Sequence, residues 1–462
     1  MPDTKSVNVQ AFLNEHGFSG YQWMIFGLCF LIVLLDGFDT AAIGYIAPSL
    51  IKEWGVGKSE LGPVLSAALF GLAVGALSAG PLADKLGRRR LLVASVLVFA
   101  VACFASAFSA DLTQLTLLRF VTGVGLGAAM PNAVTLMSEY CPDQRRAVLT
   151  NTMFCGFPLG AAFGGFLAAW MIPQWGWRSV LELGGITPFV LAILMFLLLP
   201  ESARYMVAHS YPVERIKAVL RRISEAAESA TAFVMTEAKG AAHGKRGLAV
   251  VFSSHYAIGS VMLWVAYFMG LVIFYALINW MPLLFKDAGL AQKDATLIAA
   301  LFPLGGVGAI AFGWMMDRLN GNYVIAIGYA FTAVAVFAIG QAAGTSVLLL
   351  VIVVVVAGTL MNTAQSSMPA LAAGFYPTQG RATGVSSMLG IGRFGGIVGS
   401  FLVAELTRRQ LGIGEIFSIV AVAGVVSAVA LLIKQAVHPE TPAEHDAAQH
   451  EVHDHTEEVL GH

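Results

Sequence analysis

The stretch Leu31-Ile-Val-Leu-Leu-Asp36-Gly37-Phe38-Asp39-Thr40-Ala-Ala-Ile-Gly44-Tyr45 decides how the rest of the chain is read. It lies within an apolar run from about Met24 to Ile46, long enough to cross a bilayer, yet it carries two carboxylates. A spacing of three puts Asp36 and Asp39 on one helical face, about 4.5 Å apart along the axis. A charged side chain at bilayer depth costs roughly 2.5–3.5 kcal/mol even on lenient insertion scales, so that face looks into a bundle interior or a watery cavity. Gly37, between the acids, lets another helix or a ligand approach closely. Two readings follow: a polar pair that ties helices together, or a proton-binding coupling site in a transporter. Intramembrane acids are functional by default, which favours the second.

The composition agrees with a chain that lives in lipid. Of 462 residues 57% are hydrophobic and 12% charged, outside the range of soluble domains. The mean hydropathy of +0.75 points the same way. A net charge of −1 gives no footprint for nucleic acid. Cys29, Cys103, Cys141 and Cys155 have no metal or redox spacing and read as small apolar core residues. The first twenty or so residues are polar, with neither a basic n-region nor a small-residue cleavage site, so no removable signal peptide is expected.

Apolar runs of spanning length recur at about 24–46, 61–82, 91–109, 113–138, 147–171 and 178–199. After a polar segment they resume at about 256–284, 295–316, 323–343, 346–370, 382–404 and 413–433. The expected architecture is an all-α integral membrane protein with twelve transmembrane helices in two six-helix halves. Residues 1–23 form a cytoplasmic tail, 24–200 the first half, 201–255 a cytoplasmic central loop and 256–438 the second half. Residues 439–462, acidic and rich in histidine, read as a disordered tail. With both termini inside, the cytoplasmic segments hold about 18 basic residues and the opposite loops about 7, which satisfies the positive-inside rule. The halves repeat one another weakly: GPLADKLG (80–87) with GWMMDRLN (313–320), YCPDQRRA (140–147) with FYPTQGRA (375–382), and PES (200–202) with PET (439–441). Three pairs in order, each about 235 residues apart, are what two parallel six-helix halves produce.

The turn between spans two and three, Gly80-Pro-Leu-Ala-Asp84-Lys85-Leu-Gly87-Arg88-Arg89-Arg90, closely resembles the loop signature of the major facilitator superfamily. Its glycines permit tight packing, and Asp84 can cap a helix and pair with basic residues, a contact suited to latching one end state. A tight turn with positive-inside charge would account for the arginines but not for Asp84 and Gly87 together. The half-copy in the second half keeps Asp317 and Arg318 but loses the glycine and arginines, so a weaker latch is expected there. DGFD (36–39), Arg119 within RFVTGVGLGAAMPN and PESARY (200–205) together resemble the aromatic acid:proton symporter family. The runs Ala364–Val385 and Met388–Gly396 look like its 4-hydroxybenzoate/protocatechuate members. The resemblance covers the chain except the amino-terminal tail, parts of the central loop and the His-rich tail. It implies the major facilitator fold and proton-driven import of aromatic carboxylates by alternating access.

The residues themselves support that implication. Arg119 lies about 9 Å below the outer end of span four, and Asp39 about 22 Å from the inner end of span one. In a core about 30 Å thick those depths coincide, so the two can pair, and a proton or an organic carboxylate could break the pair. Arginine does not deprotonate, so the titrating partner is a carboxylate, Asp39 with Asp36 beside it. Arg393 is a second cation near mid-depth with no counter-ion visible in the sequence, which makes it the expected carboxylate receptor rather than a helix-pinning contact. An aromatic acid also needs an apolar slot. Span seven offers Trp264, Tyr267, Phe268, Phe274 and Tyr275, of which Tyr267 is nearest the midplane; Asn132, Asn362 and Gln365 offer amides. Lipid contact and packing are the commoner uses of such aromatics. Glu139, ending span four near Arg145 and Arg146, is either a gate partner or a solvated charge.

Enzyme readings find no footing: the chain has no Walker loop, no HExxH and no nucleophile elbow. No cofactor and no metal is expected. The expected partners are an aromatic carboxylate, protons and the bilayer, with a monomer as the working unit in a bacterial inner membrane. The competing readings are a same-fold carrier for a phenoxyacetate, benzoate or sugar, and a channel or membrane sensor of aromatic acids.

Overall fold

A computed structural model describes residues 6–234, 248–308, 315, 319–376 and 378–439. The long helices, numbered in chain order, are α1 (Gly20–Trp54), α2 (Leu61–Leu86), α3 (Arg88–Ser106), α4 (Leu112–Glu139), α5 (Gly156–Trp175) and α6 (Arg178–Leu198). They continue with α7 (Ala257–Asp287), α8 (Gln292–Leu304), α9 (Gly321–Ala342), α10 (Val347–Phe375), α11 (Thr378–Arg408) and α12 (Ile413–Val437). Among the described residues eleven helices are long and apolar enough to cross a membrane. The twelfth run, expected at 295–316, begins in α8 and passes into 309–314, outside the described residues. The fold is that of an all-α membrane protein, and rows of exposed Phe, Leu and Val, such as Phe196 and Leu197 on α6, form the apolar surface that lipid requires.

Local chemistry sets the helix ends. Ser19 and Gln22 make a reciprocal capping box at the start of α1, and Gly55 ends it in the left-handed region. Asp111 caps α4 by accepting from the Gln114 N–H. Asn320, the last residue of the degraded second-half signature, caps α9 by accepting from Asn322 and Tyr323.

The chain divides into two compact units. The first comprises Met1–Ala242, Ile278–Pro303 and Ser400–Gln410; the second comprises His243–Leu277, Leu304–Gly399 and Leu411–His462. Within the first, α1 packs on α5, α2 on α4, and α3 on both α4 and α6. The α1–α5 contact explains Gly37: a Cβ there would lie 1.9 Å from the Phe157 carbonyl oxygen, so the glycine serves helix packing and not a ligand. Within the second unit α9 packs on α10 and α12.

Two segments that look merely polar in sequence fold together in the first unit. Strand β1 (Ser6–Asn8) pairs in parallel with β2 (Ala232–Val234), Ser6 opposite Ala232. Short helices at Val9–Glu15, Ala203–Ala208 and Val213–Leu220 close over them. Val9, Phe12, Leu13, Met206, Leu220 and Phe233 form a small core of its own. Of the cysteines, Cys29, Cys103 and Cys141 are buried as expected, but Cys155 is exposed, at the junction where α5 begins.

Candidate functional site

In the first unit, α1 and α4 bring Asp39 and Arg119 together as the sequence expects. Arg119 is fully buried and Asp39 is 1% exposed. The Arg119 guanidinium donates to Asp39 Oδ1 at 2.6 Å and Oδ2 at 2.8 Å, a bidentate pair. It also donates to the Asp39 carbonyl at 3.2 Å. The Cys103 thiol on α3 donates to the same Oδ1 at 3.3 Å. That third contact was not legible in the sequence, where Cys103 is one apolar residue among many. Asp36 is buried one turn earlier on α1. Asn132 is buried too, but its amide donates to the Ala128 carbonyl of its own helix at 2.7 Å.

The loop signature sits at one end of this unit. Gly80 and Asp84 stand in the last turns of α2, and Gly87 joins α2 to α3 at φ +92, a conformation that disfavours side chains. A Cβ on Gly87 would also lie 2.4 Å from Glu201 Oε2. Glu201, from the PESARY motif, accepts the Arg89 backbone N–H at 3.2 Å, so its carboxylate caps the first turn of α3. The Tyr205 ring lies under Arg88, 5.6 Å from the guanidinium carbon. Glu139 is not turned toward Arg145, which is exposed; its carboxylate faces Arg88, 3.9 Å away. The α3 start, packed against the end of α4, reaches that carboxylate first. Tyr140 beside it donates to the Glu201 carbonyl at 2.5 Å, and burial pushes its phenol well above the ordinary range, so it remains a neutral donor. Asp317 and Arg318 lie outside the described residues, as do Glu440 and Thr441 of the second PES-like element and the histidine-rich tail after it.

The second unit gathers another polar group around α7, α9, α10 and α11. The Gln365 amide donates to the Tyr267 carbonyl at 3.4 Å. Its Oε1 accepts from the Tyr329 hydroxyl at 2.6 Å. Tyr329 is fully buried and was missed in the sequence, because one tyrosine in an apolar run gives no sign of its partner. The Tyr267 ring packs on Gly392, and the Arg393 charge acts on its hydroxyl. Arg393 is half-buried, with no ion pair or hydrogen bond to a described residue. Asn362 donates to the Gly358 carbonyl of its own helix at 2.7 Å. Tyr267, Gln365 and Arg393 are thus brought together, whereas Asn362 is turned onto its backbone.

Comparison with known proteins places the chain in a family. The sequence profile of the Major Facilitator Superfamily matches residues 29–390 and again 297–458. The chain belongs to the Major Facilitator Superfamily. A superfamily relative, the 4-hydroxybenzoate transporter PcaK of Pseudomonas aeruginosa, is 48% identical over 94% of this chain and 97% of its own length. The gallate transporter of Pseudomonas putida is 44% identical over 93% of this chain and 96% of its own. Among solved superfamily folds, a D-xylose-proton symporter superposes with a TM-score of 0.69 at 17% identity, covering 89% of this chain and 97% of that one. At that identity the superposition speaks for the fold alone. The relatives are transporters, not enzymes.

Proposed function

We propose that this protein imports aromatic carboxylates of the 4-hydroxybenzoate and protocatechuate kind by proton symport, working by alternating access in a bacterial inner membrane with both termini inside. The observation that carries the reading is the buried Asp39–Arg119 pair, in a chain 48% identical to a named 4-hydroxybenzoate transporter. A fixed cation clamped by one carboxylate is a two-state element. Protonation of Asp39 would break the carboxylate contacts of Arg119, and loss of that proton would restore them; Asp36, one turn away, would be the second acid of the relay. Arg393 would receive the substrate carboxylate, with Tyr267 and Gln365 orienting the ring and its hydroxyl. Asn132 and Asn362 contribute polar lining. The signature turn at Gly80, Asp84, Gly87 and Arg88, with Glu139, would act as a latch, and Asp317 with Arg318 as its weaker counterpart. Residues 24–200 and 256–438 would be the two moving halves, joined by 201–255.

The experiment is uptake of labelled 4-hydroxybenzoate by whole cells, challenged with benzoate, hydroxybenzoates, gallate and phenoxyacetates. Concentrative uptake that collapses with a protonophore, competed best by hydroxybenzoates, is the expected result. Uptake that only equilibrates, or none at all, refutes the reading in favour of a channel or a sensor. The similarity to a gallate transporter supports a second substrate reading, a more hydroxylated ring, which the same panel resolves.

A further inference from the structure

A cleft of about 540 Å³ opens in the first unit at the end opposite the signature turn, where α1 ends and α8 begins. Its volume is in the range of small-molecule sites. Its lining combines Ala168, Ile172 and Pro173 of α5, and Trp177 just beyond, with Lys52 and Lys293. The tryptophan is fixed: its indole N–H donates to Glu53 Oε2 at 2.6 Å, and its ring meets Trp54 edge to face. Glu53 is the one carboxylate of the lining, and Arg178 holds its other oxygen at 2.6 Å. Its charge is therefore offset locally. Ser49 and Gln292, also in the lining, bond to each other. Lys52 and Lys293 differ from the lysine nearby: Lys58 is paired with Asp287, whereas these two are exposed and make no hydrogen bond or ion pair with a described residue.

Apolar lining together with two unpaired ammonium groups suits a flat organic anion. From this we infer that the cleft is a capture site, where an aromatic carboxylate is held at the outer face before it reaches the buried acids. The inference rests on the functional reading above. Ammonium groups at an exposed mouth raise the local concentration of an anion and speed its encounter, in a manner that salt weakens. The site should therefore set the apparent affinity for entry and leave the later steps untouched.

The test is initial-rate uptake of labelled 4-hydroxybenzoate in cells at low and high ionic strength, with wild type, the double variant Lys52→Gln/Lys293→Gln, the double variant Lys52→Arg/Lys293→Arg, and Lys58→Gln. The glutamine double variant should raise KM roughly fivefold at low salt with Vmax within twofold, and the difference should shrink at high salt. The arginine variant should keep the wild-type KM, and Lys58→Gln should behave as wild type. An unchanged KM in the glutamine variant, or a fall in Vmax alone, overturns the capture site. So does a KM shift that disappears when purified protein is assayed in phosphatidylcholine vesicles without anionic lipid, because the lysines would then serve anionic lipid headgroups. Absence of saturable uptake by the wild type would instead overturn the functional reading, and the capture site with it.

Discussion

Arg119 grips Asp39 at three points: both carboxylate oxygens, at 2.6 and 2.8 Å, and the backbone carbonyl of the same residue, at 3.2 Å. The guanidinium thus holds side chain and main chain of one residue on α1. Losing the carboxylate contact would leave the arginine tethered near its partner rather than free to swing away. A pair of this kind can open and re-form repeatedly without losing register.

Replacing Asp39 by Asn should abolish concentrative uptake, and replacing it by Glu should keep part of it. The Asn variant should also lose about 3–5 kcal/mol of stability, because it leaves a buried guanidinium without its counter-charge. Adding Arg119→Gln should recover much of that stability in detergent without restoring uptake. Accumulation ratios and thermal unfolding of the three variants check both halves. Full accumulation in Asp39→Asn would remove this residue from the coupling.

The two intramembrane arginines should respond differently to lysine. Arg393→Lys loses the planar fork and should weaken binding of 4-hydroxybenzoate while leaving binding of its uncharged methyl ester nearly unchanged. Arg119→Lys should mainly shift the pH profile of uptake. If the preference for acid over ester is lost at 119 and kept at 393, the two assignments must be exchanged.

Tyr329→Phe removes the donor to Gln365 Oε1 and leaves a buried acceptor unsatisfied, a cost of about 1–3 kcal/mol. If Gln365 orients the substrate, KM for 4-hydroxybenzoate should rise by about tenfold, which corresponds to about 1.4 kcal/mol, with Vmax preserved. A fall in Vmax at constant KM would show instead that the tyrosine only supports packing.

At the signature turn, Gly87→Ala meets two obstacles, the positive φ and the Glu201 carboxylate 2.4 Å from its new methyl group. Strain of about 1–3 kcal/mol is expected from the backbone alone. Shortening Glu201 to Ala should relieve the clash but not the strain, so the double variant should recover transport only in part. Uptake rate normalised to protein in the membrane measures this.

The architecture could be read from residues whose physics has few alternatives. Acids at bilayer depth need a partner, and the depth of Arg119 along its span made it the candidate, so the pair was legible before any coordinates. The signature turn was legible because its residues resemble the loop signature of the superfamily. Contacts that depend on side-chain direction were not. Asn132 and Asn362 each direct an amide N–H to a carbonyl of their own helix, an orientation that sequence does not show. Glu139 has arginines close in sequence yet faces Arg88, and Tyr329 gains its meaning from Gln365, which lies on another helix. The fold of residues 6–15 with 203–234 was hidden for another reason: each segment alone has too few apolar residues to suggest a core.

That small lobe has a consequence for how the protein is made. Ser6 is synthesised before α1, while its strand partner Ala232 emerges only after α1 to α6 have been made. Strand β1 stays without its strand partner until the six helices have been made. The lobe can therefore close only late in synthesis. A bulky fusion placed ahead of Ser6 should delay maturation of the transporter more than the same fusion placed after the final helix.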